Sequence, residues 1–240
     1  MTELRKGNVP IHKLIKDGKI LESLIYSDLK KSFSITDIPT EKIGTYEDFP
    51  AATVVFDLSG SSLSIRNRGA KKFAAESQYL FKGITDIIYT HDGIIEKFPG
   101  DGISMHFPAK NSEKDDSVNA ERAIKNACKS IMMIDLFLST KMNMDRSKYR
   151  FSLSYGEDTI ITIFGSLKHQ ELISIGHAVN VAHKLEKIIK NANCFVGMDE
   201  ICKEIAESKY DFSFSVCKTL PIDLKRNEHG NPEFWYGVVY

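Results

Sequence analysis

Apolar residues recur along the chain with two different periods, and together they predict a mixed α and β domain. Short β-branched or apolar runs bounded by Gly, Pro or charged residues are typical of strands. Such runs occupy residues 51–56, 94–98, 103–107, 149–155, 160–164, 194–196, 212–216 and 234–239. Longer segments with apolar residues three or four apart predict helices over residues 62–89, 117–142, 176–190 and 198–207. Because helices and paired strands mix in one unit, the pattern favours one α+β domain with a ferredoxin-like core.

The first 48 residues depart from this pattern and predict an appendage. Residues 19–29 fit one amphipathic helix, and residues 34–50 hold two prolines among mixed charges, which is typical of a connector. We therefore divide the chain into a helical appendage with a connector, residues 1–48, and a single domain, residues 49–240.

The charge balance argues against two classes of function. The 240 residues carry 32 Lys and Arg against 32 Asp and Glu, whereas proteins that bind nucleic acid or membrane surfaces usually have a basic excess. No apolar stretch is long enough to span a bilayer and the polar N-terminus lacks a signal core, so we expect a cytoplasmic protein. The four cysteines form no CxxC pair, which argues against structural zinc.

Two aspartates stand where a carboxylate is held by backbone geometry. Asp57 follows the apolar strand 51–56, and Asp101 lies at the tip of a Gly-flanked hairpin. Adjacent antiparallel strands could bring both to one spot, where oxygen ligands beside open positions suit Mg²⁺ or Mn²⁺ with substrate phosphates. A helix cap and a turn aspartate would explain the same two residues without a metal.

The residues after Asp57 favour phosphate binding in the same region. The run Ser59-Gly60-Ser61-Ser62 enters a helix directly, and small residues there let backbone N–H groups approach a phosphate at the positive end of the helix. There is no GxxxxGK[ST] run, which argues against a P-loop enzyme. Arg150 opens a strand, and we expect it to make a structural ion pair.

These segments together resemble the class III adenylate and guanylate cyclases. Four motifs occur in the family's order: ATVVFDLSGSS is similar to FxDIxGFT, IIEKFPGDGISMHF to KxxGDxxxxxF, YRFSLSYGEDTIITIFG to RxGIxxGxxxxxxxG, and GHAVNVAHKLE to GxxVNxAxRLE. The C-terminal EFWYGVV is similar to the strand that ends the family domain. The resemblance implies a catalytic domain with a βαββαβ core and a lyase activity that closes a nucleoside triphosphate into a cyclic monophosphate.

The resemblance implies a role for each matching residue. Asp57 and Asp101 match the aspartates that bind two divalent cations, which lower the pKa of the ribose 3′-hydroxyl and neutralise the α-phosphate. Asn180 matches the asparagine that orients the ribose. Lys184 stands where the family has an arginine for the α-phosphate, and this departure keeps the charge but loses the bidentate fork. The cradle for the β- and γ-phosphates falls on Leu58, Ser59, Gly60, Ser61 and Ser62.

The last two implied features concern the triphosphate and the assembly. Lys225 is the candidate for the triphosphate-binding lysine, although the family's GKG pattern is absent around it. In the family one protomer supplies the aspartates and the other supplies the base pocket, the asparagine and the arginine. This chain carries both sets, so the resemblance implies a homodimer with two composite active sites.

Two positions in this family select the base. Lys97 matches the first, where lysine argues against guanine because guanine needs an acceptor. Ile173 matches the second, where adenylate cyclases usually accept a hydrogen bond from the adenine amine, which isoleucine cannot do. Glu171 or Ser174 could take over this role if the segment before Gly176 is shifted by one residue.

With these departures, the chain resembles one group within the family, the stand-alone Pycsar antiphage cyclases. Those enzymes make cyclic UMP or cyclic CMP, which activates a separate effector protein. The sequence therefore predicts a pyrimidine nucleotidyl cyclase. The alternatives are a stand-alone adenylate cyclase and an inactive cyclase-like nucleotide-binding module; a diguanylate cyclase is disfavoured because no GGDEF-like run is present.

Overall fold

The computed structural model describes residues 44–109, 118–166, 169–192, 194–209, 212–216 and 234–239, which form strands and helices in alternation. The strands are β1 (Tyr46–Asp48), β2 (Ala51–Leu58), β3 (Ile94–Lys97), β4 (Ile103–Pro108), β5 (Tyr149–Gly156), β6 (Ile160–Ser166), β7 (His169–Ile175), β8 (Val196–Asp199), β9 (Phe212–Val216) and β10 (Phe234–Val239). The helices are α1 (Ser61–Arg68), α2 (Ala70–Thr90), α3 (Ala120–Thr140), α4 (His177–Ala192) and α5 (Glu200–Lys209). None of the described helices is long and apolar enough to cross a membrane.

A seven-stranded sheet forms the centre of the fold, with the strand order β3-β4-β2-β5-β8-β10-β9. Neighbouring strands run antiparallel except β5 and β8, which run parallel. The third strand in this order is β2, which pairs along its whole length with β5 and over six residues with β4. A strand in this position is buried on both faces, which explains its nearly continuous apolar sequence.

The two faces of the central sheet are covered by different helices. Side chains alternate along a strand, so Val54 and Phe56 of β2 lie in one cluster with Ile84 of α2 and Ile131 of α3. The opposite face is covered by α4, where the Ser152 hydroxyl of β5 donates to a helix carbonyl at 2.6 Å. By this alternation Asp57 lies on the α4 face.

A smaller sheet with the order β1-β6-β7 stands beside the central one. Its strands are antiparallel, and β6 and β7 pair over their full length of seven residues each. A small apolar cluster joins the two sheets, formed by Phe49, Ala51, Ile94 and Ile161 with Leu172 packed against them.

The structure corrects the predicted elements at three places. The helix predicted over 62–89 is two helices, because Gly69 adopts a positive φ of 85° between them. The segment before Gly176, interpreted as a loop, is strand β7. Residues 46–48, assigned to the connector, form β1 and pair with β6. Residues 1–43, which include the predicted helix 19–29, lie outside the described residues.

Candidate active site

The structure brings the two predicted aspartates together at one end of β2. Phe56 pairs with Ile103, so the hairpin residues Asp101 and Gly102 lie beside Asp57. A Cβ on Gly102 would stand 2.6 Å from the Phe56 carbonyl oxygen, which shows how closely the hairpin turn approaches β2. Burial raises the pKa of Asp57, and the nearby Asp101 carboxylate raises it further.

Arg150 and Glu186 extend this cluster on the α4 face of the sheet. Arg150 is the β5 partner of Asp57, and its Nε lies 3.7 Å from Asp57 Oδ2. Its Nη1 lies 3.9 Å from Glu186 Oε1, and its side chain is only 8% exposed. Arg150 lowers the pKa of Asp57 but does not outweigh the effect of burial. Burial also raises the pKa of Glu186, and the neighbouring Asp57 carboxylate adds to this.

Several buried polar atoms in this cluster make no hydrogen bond with any described residue. They are Asp57 Oδ2, Ser59 Oγ, Arg150 Nη1 and Glu186 Oε1. Two ionised carboxylates cannot donate to each other, and the Arg150 guanidinium supplies a single positive charge beside the two of them. Buried polar groups are normally paired, and their concentration here indicates a site that is completed by a polar ligand or an ion.

The predicted phosphate cradle follows directly from β2 into α1. Leu58 is still a strand residue, and the Ser59 N–H already donates to the Lys148 carbonyl at 2.7 Å. Gly60 turns the chain through a left-handed conformation with φ 76° and ψ 19°. Ser61 and Ser62 begin α1, which has no side-chain cap, so the first N–H groups of the helix are available to an anion.

Asn180 and Lys184 lie one turn apart on α4, away from the aspartate cluster. Each residue of an α-helix turns the chain by about 100°, so both positions are more than about 100° around the axis from Glu186. Asn180 is exposed and Lys184 half-buried. One chain therefore presents the two predicted halves of the active site in different directions.

The two predicted base-selecting positions lie on strands at the facing edges of the two sheets. Lys97 ends β3 with its side chain 46% exposed, and Ile173 is half-buried on β7. Of the two alternatives to Ile173, Glu171 is exposed, whereas Ser174 has a buried hydroxyl without a hydrogen-bond partner among the described residues. Lys225 lies outside the described residues.

A buried carboxylate that the sequence analysis did not single out links these two positions. Glu96 Oε1 accepts from the Ser174 N–H at 3.0 Å and lies 3.4 Å from Lys97 Nζ. Its Oε2 accepts from the Ser104 hydroxyl at 2.8 Å and lies 3.4 Å from His106 Nε2. Burial alone would raise the pKa of Glu96, but these hydrogen bonds and charges together hold it far below its usual range.

The sequence contains only weak signals for the further residues of the site, Glu96, Glu186 and Arg150. Glu96 is a single acid within the apolar run IIEK, which is unusual for a strand buried on both faces. Glu186 closes the motif GHAVNVAHKLE, where no chemistry was assigned to it. Arg150 was predicted to make a structural ion pair, and the structure places that ion pair inside the candidate site.

The residues of this cluster fit divalent cations. No group of three or more His, Cys, Asp or Glu side chains in the described parts of the chain is arranged to hold a metal by itself. Mg²⁺ is typically held by one or two carboxylates with waters and substrate phosphates completing its shell. Asp57 and Asp101 supply such a pair, and Asp57 Oδ2 accepts no hydrogen bond from the described residues, with the Arg150 guanidinium nearby at 3.7 Å.

Solved structures with this fold include adenylyl and guanylyl cyclases. The adenylyl cyclase CyaB from P. aeruginosa is 14% identical, covers 82% of this chain and 97% of its own, and has a TM-score of 0.59. The guanylyl cyclase Cya2 is 18% identical over 81% of this chain and 92% of its own, with a TM-score of 0.58. The guanylate cyclase domain of RhGC from Catenaria anguillulae, solved with GTP, is 17% identical over 82% of this chain and 99% of its own, with a TM-score of 0.53.

No protein-family model matches the sequence. No curated protein matches it either. At this low identity the structural similarity establishes the fold, and the predicted α+β architecture of the class III cyclase catalytic domain is confirmed.

Proposed function

We propose that the protein is a nucleotidyl cyclase that converts a pyrimidine nucleoside triphosphate, UTP or CTP, into its 3′,5′-cyclic monophosphate and pyrophosphate. The observation that carries this proposal is the cluster of Asp57, Asp101 and unpartnered buried polar atoms at the end of β2, within a cyclase fold. A site of this composition suits a polyanionic substrate bound with cations.

The chain's own residues account for binding and orientation in this reaction. Asp57 and Asp101 would hold two Mg²⁺ or Mn²⁺ ions, which supply Lewis-acid activation of the ribose 3′-hydroxyl and of the α-phosphate when bound. The first N–H groups of α1 face the β- and γ-phosphates. Asn180 orients the ribose, and Lys184 balances charge on the α-phosphate. The 3′-oxygen forms a bond to the α-phosphorus as the bond to the pyrophosphate oxygen breaks.

The proposal includes a homodimer with shared active sites. Because Asn180 and Lys184 lie on a different side of α4 from Glu186, they cannot act on a nucleotide held by Asp57 of the same chain without a large rearrangement. A second copy related by a two-fold axis can supply them, since an isologous interface repeats each contact twice.

A pyrimidine base is proposed from the residues at the two selecting positions. Lys97 is a donor, and the Ile173 side chain offers no acceptor for the adenine amine. A buried amine without an acceptor would lose about 1–3 kcal/mol, and because cytosine also carries an amine, the same argument favours UTP over CTP. A cyclic pyrimidine product would act on a separate effector protein, as in the antiphage systems that the sequence resembles.

The first test is an incubation of purified protein with each of the four ribonucleoside triphosphates and Mn²⁺, with products resolved by mass. Cyclic UMP or cyclic CMP supports the full proposal. Formation of cyclic AMP would support the cyclase activity but show that the substrate is ATP and not a pyrimidine triphosphate. Absence of any cyclic product would contradict the enzymatic proposal and favour an inactive nucleotide-binding module.

Variants test the site and its division between two chains. Asp57→Ala and Asp101→Ala should each abolish turnover in a folded protein, whereas Asp86→Asn, an exposed α2 carboxylate paired with Lys82, should leave it unchanged. An Asp57→Ala chain mixed with an Asn180→Ala chain should regain activity, because the mixed dimer has one intact site. A verified mixed dimer without activity would refute the shared site.

A further inference from the structure

We propose that Glu96 is a positioning residue for nucleobase selection, because it fixes the relation between the strand that carries Lys97 and the strand that carries Ile173. This inference rests on the proposed nucleotide site and adds a residue to it. Glu96 itself lies below the surface, with its side chain only 1% exposed, so it acts through its neighbours and not by touching the base.

The two strands concerned belong to different sheets. β3 is at the edge of the seven-stranded sheet, and β7 is at the edge of the three-stranded sheet. The hydrogen bond from the Ser174 N–H to Glu96 Oε1 crosses from one sheet to the other at 3.0 Å. Apart from this bond, the small apolar cluster around Ile94 and Leu172 joins the same edges, and apolar packing is not directional.

The two oxygens of Glu96 have separate tasks. Oε1 holds the β7 backbone at Ser174 and the Lys97 ammonium, so it meets both base-selecting segments. Oε2 accepts a hydrogen bond from the Ser104 hydroxyl of β4, and His106 Nε2 of the same strand lies 3.4 Å away. Thr53 of the next strand, β2, in turn contacts His106 Nδ1 at 3.0 Å, so these contacts extend into the interior of the large sheet.

A buried carboxylate is a costly way to join two strands when only stability is needed. An ionised carboxylate loses much hydration on burial, and apolar replacements of buried ion pairs are often neutral or stabilising. What the carboxylate adds is direction, since it accepts from a fixed N–H and orients a cation next to it. Selection among bases by hydrogen bonds needs this kind of fixed geometry, because a misplaced donor no longer distinguishes one base edge from another.

The test compares Glu96→Gln with Asp135→Asn, a matched carboxylate change elsewhere in the fold. Asp135 is also buried and bonded, to Arg146 at 2.7 Å and to the Tyr149 hydroxyl at 2.6 Å, but on α3. Glutamine keeps an acceptor for one neighbour and loses the charge that holds Lys97. We measure kcat and KM for each of the four triphosphates, together with the melting temperature of each variant.

For Glu96→Gln we expect the ratio of kcat/KM between the preferred and the next-best triphosphate to fall about tenfold or more, mainly through KM. Asp135→Asn should lower the melting temperature and leave that ratio unchanged. A double variant Glu96→Gln with Lys97→Ala should lose less selectivity than the sum of the single losses, because the two residues act together. An unchanged ratio in Glu96→Gln, or an equal loss in Asp135→Asn, would overturn the proposal.

Equilibrium binding separates this inference from the proposed reaction. If the wild-type protein forms no cyclic product, the cyclase proposal fails, and binding of the four unreactive α,β-methylene triphosphates is measured by calorimetry. Wild-type preference for one base that is lost in Glu96→Gln supports the positioning role. Equal binding of all four by the wild-type protein, or a preference that survives the substitution, contradicts it.

Discussion

Gly102 makes the position of Asp101 testable by adding a single methyl group. A Cβ at Gly102 would lie 2.6 Å from the Phe56 carbonyl oxygen, which belongs to the backbone of the inner strand β2 and cannot rotate away. Normal contact needs several tenths of an ångström more, so the hairpin must move away from β2. Overpacking of this kind destabilises by about 1–3 kcal/mol. Asp101 directly precedes Gly102 and should move with it. A displacement of the Asp101 carboxylate approaching about 1 Å should lower turnover about 100-fold.

Gly100 on the same hairpin provides the control. Its φ of 66° is left-handed, but a Cβ there meets nothing within 4 Å. Gly100→Ala should therefore lose roughly 1–2 kcal/mol from backbone strain without moving Asp101. Each kcal/mol corresponds to about 2–4 °C in melting temperature for a chain of this size.

The assay is product formation with Mn²⁺ for both variants, alongside thermal unfolding. The expected result is a similar loss of stability in both and a large loss of turnover in Gly102→Ala alone. If Gly102→Ala turns over like the wild-type protein, or if both variants lose turnover equally, the close approach of the hairpin does not position Asp101.

Two further predictions concern stability. Burial raises the pKa of Tyr155 to about 12, and its hydroxyl has no hydrogen-bond partner among the described residues. Tyr155 therefore ionises at lower pH in the unfolded chain than in the folded protein. As a result, the free energy of unfolding should fall as pH rises from about 10 toward 12. Tyr155→Phe should flatten that decline in urea unfolding series and leave stability near pH 8 the same or higher, and an equally steep decline in the variant would contradict this. Gly83→Ala on α2 would place a Cβ in steric overlap with the outer edge of the Phe137 ring, so it should lower the melting temperature although alanine ordinarily favours a helix by about 1 kcal/mol. Phe137→Leu in the same chain should restore part of the loss, and no restoration would mean that the ring is not the cause.

Most elements could be predicted because their signals are local. The β2 run is apolar and β-branched, and α4 has an apolar stripe at helical spacing that the structure buries. The break at Gly69 was missed because the apolar spacing continues across it, and a single glycine does not reveal a positive φ. β7 was missed because its sequence, HQELISI, alternates weakly, and its strand structure depends on pairing with β6.

The site could be predicted in part, for a similar reason. Asp57 and Asp101 stand next to local signals, a strand end and a Gly-flanked turn, and strand pairing then brings them together. Glu96, Arg150 and Glu186 acquire their surroundings only through register and helix packing. Their sequence neighbours do not show that Arg150 is opposite Asp57 or that Glu96 meets Ser174 across two sheets.

A comparison of buried carboxylates shows why the Asp57 cluster differs from structural ion pairs. Both oxygens of Asp135 are filled by hydrogen bonds from Arg146 and Tyr149. Asp57 Oδ2 and Glu186 Oε1 are buried without such bonds. Groups that are kept for ligand binding in this way lower the stability of the empty protein.

Removal of the charge at Asp57 should therefore stabilise the protein while it abolishes turnover. Burial raises the pKa of Asp57, which means that the folded state disfavours the ionised form present at neutral pH. An amide at this position would lack that charge and could donate to Glu186, so Asp57→Asn should raise stability by about 0.5–2 kcal/mol without metal or nucleotide. Asp135→Asn should lower stability, because an amide would face the donor fork of Arg146. Thermal unfolding with a chelator present measures the stability of both variants. If the melting temperature falls in Asp57→Asn as it does in Asp135→Asn, Asp57 is a structural residue of the fold and is not left open for a ligand.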